Sequence, residues 1–329
     1  MTEGEDAEDE LVDIPFSVWP EEHGQRADLF LSRRIKRMSR SRAAELIRTG
    51  KVRRQSGLID RPSLKVHAGD RVLLRRKRLE EGPTEGIELP VVYEDEHVLA
   101  VSKPGDLVVH PTASAFHRTL IRILRTRRPT EFLELAHRLD KETSGLIILS
   151  RHPAVDIRLK DDFAERRVKK AYLAVVQGVP ADDEMVVDAP MRLSPTASSG
   201  VRMEIGGVDA LPSITRVRVL ARGQNAAVVE ARPETGRQHQ IRLHLAHIGH
   251  PIIGDKLYLG GDEIFLRAIN ERLDEATLID LVGHPRQALH AWRAELVHPV
   301  TRAPLRLEAP LAPDLAQLVQ RLGLSPYST

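Results

Sequence analysis

Two stretches of the 329-residue chain concentrate side chains that could do chemistry. The first, His137-Arg138-Leu139-Asp140-Lys141-Glu142-Thr143-Ser144-Gly145, sets a carboxylate and several polar groups directly before an apolar run at 146–149. Polar residues at the mouth of a buried strand often serve a site. The second stretch, 235–255, carries His239 and Arg242 three residues apart, so a helix there lets them share one side. An arginine so placed can hold a carboxylate in its ionised, nucleophilic form. Taken alone, the commoner reading of Asp140 is a turn or helix-cap carboxylate, and of Arg138 a surface base; spacing does not decide between these and catalysis. His244, His247 and His250 suggest a metal, but no acidic or cysteine ligand stands at ligand spacing. Structural hydrogen bonding is the better reading, and no metal is expected.

The elements that must position these groups show in the apolar rhythm. Strand-like runs recur at 91–93, 98–102, 145–150, 171–177, 214–220, 226–231 and 289–297, with helical patterns at 120–125, 155–164 and 238–248. In the last of these, Ile241, Leu245 and Ile248 mark a core face. Strands in groups, instead of strict alternation with helices, predict an α+β fold with a mixed, mainly antiparallel sheet. Upstream, Ala27, Leu29, Phe30, Leu31 and Ile35, then Ala43, Ala44, Leu46 and Ile47, predict two short helices, the second starting at Ser39 or Ser41 and stopping at Gly50. Short segments at 51–54, 64–67 and 71–75 complete a small ααβ module.

Charge divides the chain further. Residues 1–25 carry nine acids and no Lys or Arg, residues 26–78 carry eighteen bases against four acids, and the remainder sums to −3, giving the net +2. A block of +14 points to a polyanionic partner. Arg33, Arg34, Lys36, Arg37, Arg40, Arg42, Arg48, Arg53 and Arg54 are its candidate phosphate contacts. The block holds a single aromatic, Phe30, so shape and phosphate reading is expected there over base stacking. The expected division is an acidic disordered tail over 1–25, a basic module over 26–78, a flexible Gly/Pro/acid linker over 79–89 and a larger α+β domain over 90–329.

Hydrophobic residues at 41% and charged residues at 29% are ordinary globular values. No apolar run of the roughly 18 residues that a membrane helix needs is present. The acidic N-terminus does not read as a signal peptide. The absence of cysteine excludes disulfides, thiolate metal sites and cysteine nucleophiles, and a cytoplasmic location is expected. Neither a Walker loop nor a dinucleotide fingerprint occurs, so no cofactor is expected.

Five motifs in order bring these pieces together: Ser102-Lys103-Pro104-Gly105-Asp106-Leu107-Val108-Val109-His110-Pro111; the string 137–145; Lys170-Ala171-Tyr172-Leu173-Ala174-Val175-Val176-Gln177-Gly178; the string 236–255; and Arg286-Gln287-Ala288-Leu289-His290-Ala291 with His298-Pro299. Together they closely resemble the RluA-type family of pseudouridine synthases over about residues 26–300. The basic block looks like the small RNA-binding module named after ribosomal protein S-four. The resemblance implies that Asp140 is the nucleophile, Arg242 its pairing arginine, and Tyr172 the tyrosine that packs on the target base and is implicated in deprotonating C5. It further implies that Arg138 fills the gap left by the extruded uridine, with His137, Arg237 and His239 on the substrate side, around a central cleft. Gln238 departs from the Thr or Ser usual at that place, which touches one substrate-side hydrogen bond. The 260–285 connection, with Ile264, Leu266, Ile269 and Leu273 at helical spacing, is longer than the pattern and is expected to pack on the surface or touch RNA.

The chemistry fits those residue types. Isomerising uridine breaks the N1–C1′ bond, turns the ring and rejoins it through C5, which needs a nucleophile and a closed pocket but no redox or group donor. The base must be flipped out of its stack, at a cost of a few kcal/mol that stacking on an aromatic offsets. The implied substrate is structured RNA, large-subunit ribosomal RNA by analogy with the two-domain architecture and transfer RNA as the alternative, acted on by a monomer. A non-catalytic RNA-binding factor for ribosome assembly is the rival from another class. A glycosidase-like reading lacks a second acid near the motif.

Overall fold

The computed structural model describes residues 11–35, 38–55, 57–77, 84–110 and 118–324. The chain forms two compact units, Met1–Glu81 and Gly82–Thr329.

In the first unit, β1 (Leu11–Ser17), α1 (Ala27–Arg34), α2 (Arg40–Arg48), β2 (Val52–Arg54), β3 (Gly57–Leu58) and β4 (Arg71–Lys77) follow one another. The strands form one antiparallel sheet in the order β1-β4-β2-β3. Helix α2 begins where expected: the Ser39 hydroxyl accepts from the Arg42 N–H at 3.1 Å, a cap worth about 1 kcal/mol. Phe30, Leu31, Ile47, Val52, Ile59 and Val72 make the core.

The acidic tail expected over 1–25 is corrected from residue 11 onward. Leu11–Ser17 is an edge strand paired with Arg71–Lys77, and Pro20–Glu22 forms a short 3-10 turn. The physical reason lies in residues that net charge obscures. Ile14, Phe16 and Val18 alternate toward the core, while Asp13 takes hydrogen bonds from Arg75 at 3.2 Å and from Arg53. Asp13 thus neutralises part of a basic sheet, and Glu22 pairs with Arg34 of α1. Residues 1–10, and 79–83 of the expected linker, lie outside the described residues.

The second unit contains β5 (Val91–Glu94), β6 (Val98–Lys103), α3 (Leu120–Arg127), β7 (Glu134–Leu135), β8 (Ser144–Ser150), α4 (Pro153–Ala164) and β9 (Lys169–Gln177). There follow β10 (Glu184–Asp188), β11 (Met191–Leu193), β12 (Met203–Ile205), β13 (Ile214–Arg222), β14 (Ala226–Pro233) and α5 (Gln240–His247). The unit closes with α6 (Gly261–Asn270), α7 (Glu275–Val282), β15 (Leu289–Val297), β16 (Pro304–Glu308) and α8 (Pro313–Arg321). Ten strands share a sheet ordered β10-β13-β14-β9-β15-β8-β6-β5, with β16 beside β15 and β7 beside β8. Every pair is antiparallel except β15 with β8, where His290 faces Ser144 and Ala291 faces Gly145. This is the mixed, mainly antiparallel α+β sheet that the grouped strands predict.

That parallel junction needs its glycine. Gly145 has φ +104, and a Cβ there would stand 2.2 Å from the Ala291 carbonyl oxygen. On either side lie two cores, one under β6 and β8 with α3 and α4, the other under β9, β13 and β14 with α5 and α8. Tyr172 packs against both, which places it at the seam. The 260–285 connection forms α6 and α7, the second capped by Asp274, which accepts from Thr277 N–H at 2.8 Å, and closed by Gly283 at φ +83.

Candidate active site

Asp140 stands in the loop that enters β8, and the loop is tied down residue by residue. Lys103, at the end of β6, is fully buried and donates to the carbonyls of Pro104 (2.8 Å), Leu107 (2.7 Å) and Lys141 (3.0 Å). Burial and the Arg286 charge pull its pKa down to about 7, while three acceptors match the three N–H bonds of the ammonium. The Glu142 carboxylate accepts from Lys256 Nζ at 2.8 Å, and its carbonyl from Arg286 Nη1 at 2.9 Å. Thr143 Oγ1 accepts from Gln287 at 2.8 Å, and Ser144 Oγ from Arg286 Nη2 at 3.1 Å. Gly105 makes room for this arginine, since a Cβ there would lie 2.2 Å from Arg286 Nε.

Arg242 approaches Asp140 from α5. Its Nη1 donates to Asp140 Oδ2 at 3.2 Å, while Nε and Nη2 form a two-pronged pair with Asp255 at 2.6 and 2.8 Å. The Asp255 carboxylate also accepts from the N–H groups of Leu257 (2.9 Å) and Tyr258 (3.0 Å) and is fully buried. Despite burial, the Arg242 charge and these hydrogen bonds hold its pKa below the usual carboxylate range, and, again against burial, the charges of Asp255 and Asp140 raise the pKa of Arg242 and keep it protonated. Most of the arginine's charge is therefore spent on Asp255. Asp140 receives one longer bond and keeps a side chain 28% exposed. It is anchored without being buried or fully neutralised, which suits a nucleophile.

His239 caps α5 with φ +57, a conformation costly for any residue but glycine. Its Nδ1 lies 3.1 Å from the Tyr258 hydroxyl, which accepts from Met203 N–H at 3.0 Å. The His239 Nε2 lies 3.9 Å from Asp140 Oδ2. Burial, with the Arg242 charge, lowers its pKa to about 4, so it is a neutral neighbour of Asp140 at pH 7.

These groups open on a cavity of about 460 Å3 whose wall includes Arg138, Asp140, Tyr172, Arg237, His239 and Arg242. Burial, then the Asp140 charge, pushes the Tyr172 phenol above its ordinary pKa. Arg138 is exposed at the wall, and Gln238 also lines it. His137 lines the cavity too, but its Nε2 accepts from Ile148 N–H at 3.1 Å and its ring stacks on Phe163 at 4.5 Å. Burial lowers its pKa to about 3, and the ring ties the loop to β8. His244 is likewise occupied, by Thr215 Oγ1 at 2.9 Å and the Ala189 carbonyl at 3.0 Å.

The sequence motifs contain Lys103, Asp255 and Arg286 without revealing their part; Tyr258 and Lys256 lie just beyond the motif ending at Asp255. A charge at the end of an apolar run, as at Lys103 and Asp255, is the available signal, because it needs a partner once buried. In the other unit, Arg34 lies 4.1 Å over the Trp19 ring and pairs with Glu22 at 2.8 Å. Arg40 pairs with Asp28, Arg42 with Glu45, Arg53 with Asp13 and Arg54 with Asp70. Arg33 is exposed; Lys36 and Arg37 lie outside the described residues.

The model for the family "RNA pseudouridylate synthase" matches residues 97–247. The ribosomal large subunit pseudouridine synthase D of Xylella fastidiosa is 36% identical over 306 residues, covering 91% of this chain and 89% of the relative. The chain belongs to the RluA-type family of pseudouridine synthases. The synthase D of Pseudomonas aeruginosa is 34% identical to this synthase over 94% of it and 95% of the relative. Among solved structures, human RNA Pseudouridylate Synthase Domain Containing 4 aligns with a TM-score of 0.57 at 25% identity, over 72% of the synthase and 94% of that chain. The matched span of the family model runs from the start of β6 to the end of α5. It therefore contains Asp140, Tyr172 and Arg242, but not Asp255, which holds the arginine from outside it. Among the described residues of the synthase, no group of three or more His, Cys, Asp or Glu could hold a metal, and no helix is long and apolar enough to cross a membrane.

Proposed function

We propose that this synthase isomerises uridines of large-subunit ribosomal RNA, with Asp140 as the nucleophile. The substrate assignment is supported by relatives that carry ribosomal large subunit in their names along nearly their whole length. The catalytic assignment rests on one observation: Asp140 is partly exposed in a cavity, under a single 3.2 Å bond from an arginine that Asp255 otherwise holds.

A flipped uridine enters the cavity beside Tyr172, and Arg138 fills the space it leaves. The Asp140 carboxylate bonds to the nucleotide, at C1′ or at C6, and the N1–C1′ bond breaks. The freed ring turns and C5 bonds to C1′; the Asp140–nucleotide bond breaks, either as C5 attacks C1′ or as C5 loses its proton and C5=C6 re-forms, and N1 ends protonated, so the carboxylate is restored and the reaction balances with no added reactant. Asp140 is neutral while bonded. Where the attack is at C6, Asp140 is still bonded when C5 gives up its proton, so the part of the Tyr172 shift that its charge imposes is relieved at that step. Hydrolysis with a carboxylate pair is disfavoured, because Asp255 is buried and locked to Arg242. Arg237 and His239 orient the substrate, and His137 positions the loop.

The basic N-terminal unit is read as the S-four-like RNA-binding module, with its exposed arginines on phosphates. Pseudouridine mapping of total RNA from cells carrying wild-type or Asp140→Ala protein tests the proposal. Loss of a modified site confined to large-subunit RNA is expected. Loss confined to transfer RNA would overturn the substrate, and no difference at any uridine would favour a binding protein for ribosome assembly.

A further inference from the structure

A second cavity, of about 470 Å3, adjoins the catalytic one, and the two share Phe163, Ala164, Lys170, Pro233, Gly236 and Arg237. Beyond that shared wall its lining is dominated by cations, with Arg166, Lys169, Arg216, Arg232, Arg293 and Arg306 against three glutamates. Four of these arginines are already spoken for: Arg216 pairs with Glu234 at 2.6 Å, Arg232 with Glu230 at 2.8 Å, Arg293 with Glu308 at 2.6 Å and Arg306 with Glu295 at 3.9 Å. Arg166, Lys169, Lys170 and Arg237 form no ion pair among the described residues. The Arg237 Nε is buried there without a hydrogen-bond acceptor. Two of the four belong to the shared wall and two to the second cavity alone.

Arg166 adds an independent sign. It follows the last residues of α4 at φ +61, the place and conformation in which helices ordinarily carry glycine. An exposed arginine there costs backbone free energy and gains no partner from the protein. A ligand for the side chain accounts for that choice.

We infer that this groove binds backbone phosphates of the RNA strand flanking the target uridine as it leaves the catalytic cavity. A strand whose base is flipped into the first cavity continues past one of its walls, and the unpaired cations stand along the wall common to both. Acid-free cations spread from β9 and the end of α4 to the loop before α5 match a chain of phosphates better than one small anion. Phe163, which stacks on His137, is the groove's one aromatic, so phosphate reading is favoured over base stacking. The inference rests on the reading of this chain as an RNA-modifying enzyme.

The test uses the full chain with Arg166→Gly, Lys169→Gln and Lys169→Arg. Affinity for a ribosomal RNA fragment is measured between about 50 and 200 mM salt, beside KM, kcat and thermal unfolding. Arg166→Gly and Lys169→Gln are each expected to weaken binding several-fold and to flatten the slope of log K against log salt by about 0.7, the value for one single-stranded phosphate contact. KM should rise with kcat unchanged, Lys169→Arg should restore binding, and Arg166→Gly should melt no lower than wild type. Wild-type affinity and slope in both neutral variants would overturn the groove, as would weaker binding with an unchanged slope. A wild-type protein that binds RNA with the expected slope but modifies none would refute the enzymatic reading and leave the groove standing.

Discussion

Arg242 touches two carboxylates and treats them differently, and that asymmetry is the residue-scale basis of the site. Asp255 takes two short bonds inside the protein and Asp140 one longer bond at the cavity wall. A buried guanidinium would otherwise draw Asp140 into a close pair and blunt it. Asp255→Asn should therefore slow turnover at least tenfold while RNA affinity stays within a few-fold of wild type. It should also lower stability by about 3 kcal/mol, the order found when one partner of a buried ion pair is removed. Single-turnover kinetics and urea unfolding check this, and wild-type kcat in the variant would sink the proposed division of charge. Asp140, His239 and Arg242 were legible as candidates because they sit together in polar strings. Asp255 and Tyr258 were not, since their work is to hold other side chains, which only the folded chain brings within reach.

At the scale of elements, the catalytic loop is held between β6, β8 and the segment before β15. Lys103 is the least obvious part of that hold, a charge at the end of an apolar strand whose three hydrogen bonds all go to loop carbonyls. Lys103→Met keeps the volume and strips the carbonyls of their donor, at roughly 1–3 kcal/mol for each buried group left unsatisfied, offset in part by removing a buried charge. A net loss of about 2–4 kcal/mol is expected, with kcat falling more than RNA affinity as the loop before β8 loosens. Equal stability and activity in the variant would show that the lysine holds nothing. Periodicity located the long strands and helices well, among them 289–297 and the helix after 260. The short strands β7, β10, β11 and β12 escaped because so few residues carry too little alternation, and β1 because the acids around it masked its inward Ile14 and Phe16.

The whole molecule is two compact units with unlike charge. The net +2 hides a first unit in which several arginines are paired at home, Arg53 and Arg75 with Asp13 of the edge strand, Arg40 with Asp28 and Arg54 with Asp70. In the second unit, the seam between two cores under one sheet carries Tyr172, and the parallel junction at Gly145 continues into the strand that Asp140 precedes. The α+β class and the order of motifs were readable in the chain. The seam, the glycine contact and the second groove were not, because each arises from residues far apart in the chain.

The most direct test of the central claim gives purified wild-type and Asp140→Asn protein a large-subunit RNA transcript tritiated at uridine C5. The substitution keeps the size of the side chain and removes its charge. Wild-type protein should release tritium without free uracil, and the variant should bind the RNA with near wild-type affinity and release none. Turnover by the variant within tenfold of wild type would contradict Asp140 as the nucleophile.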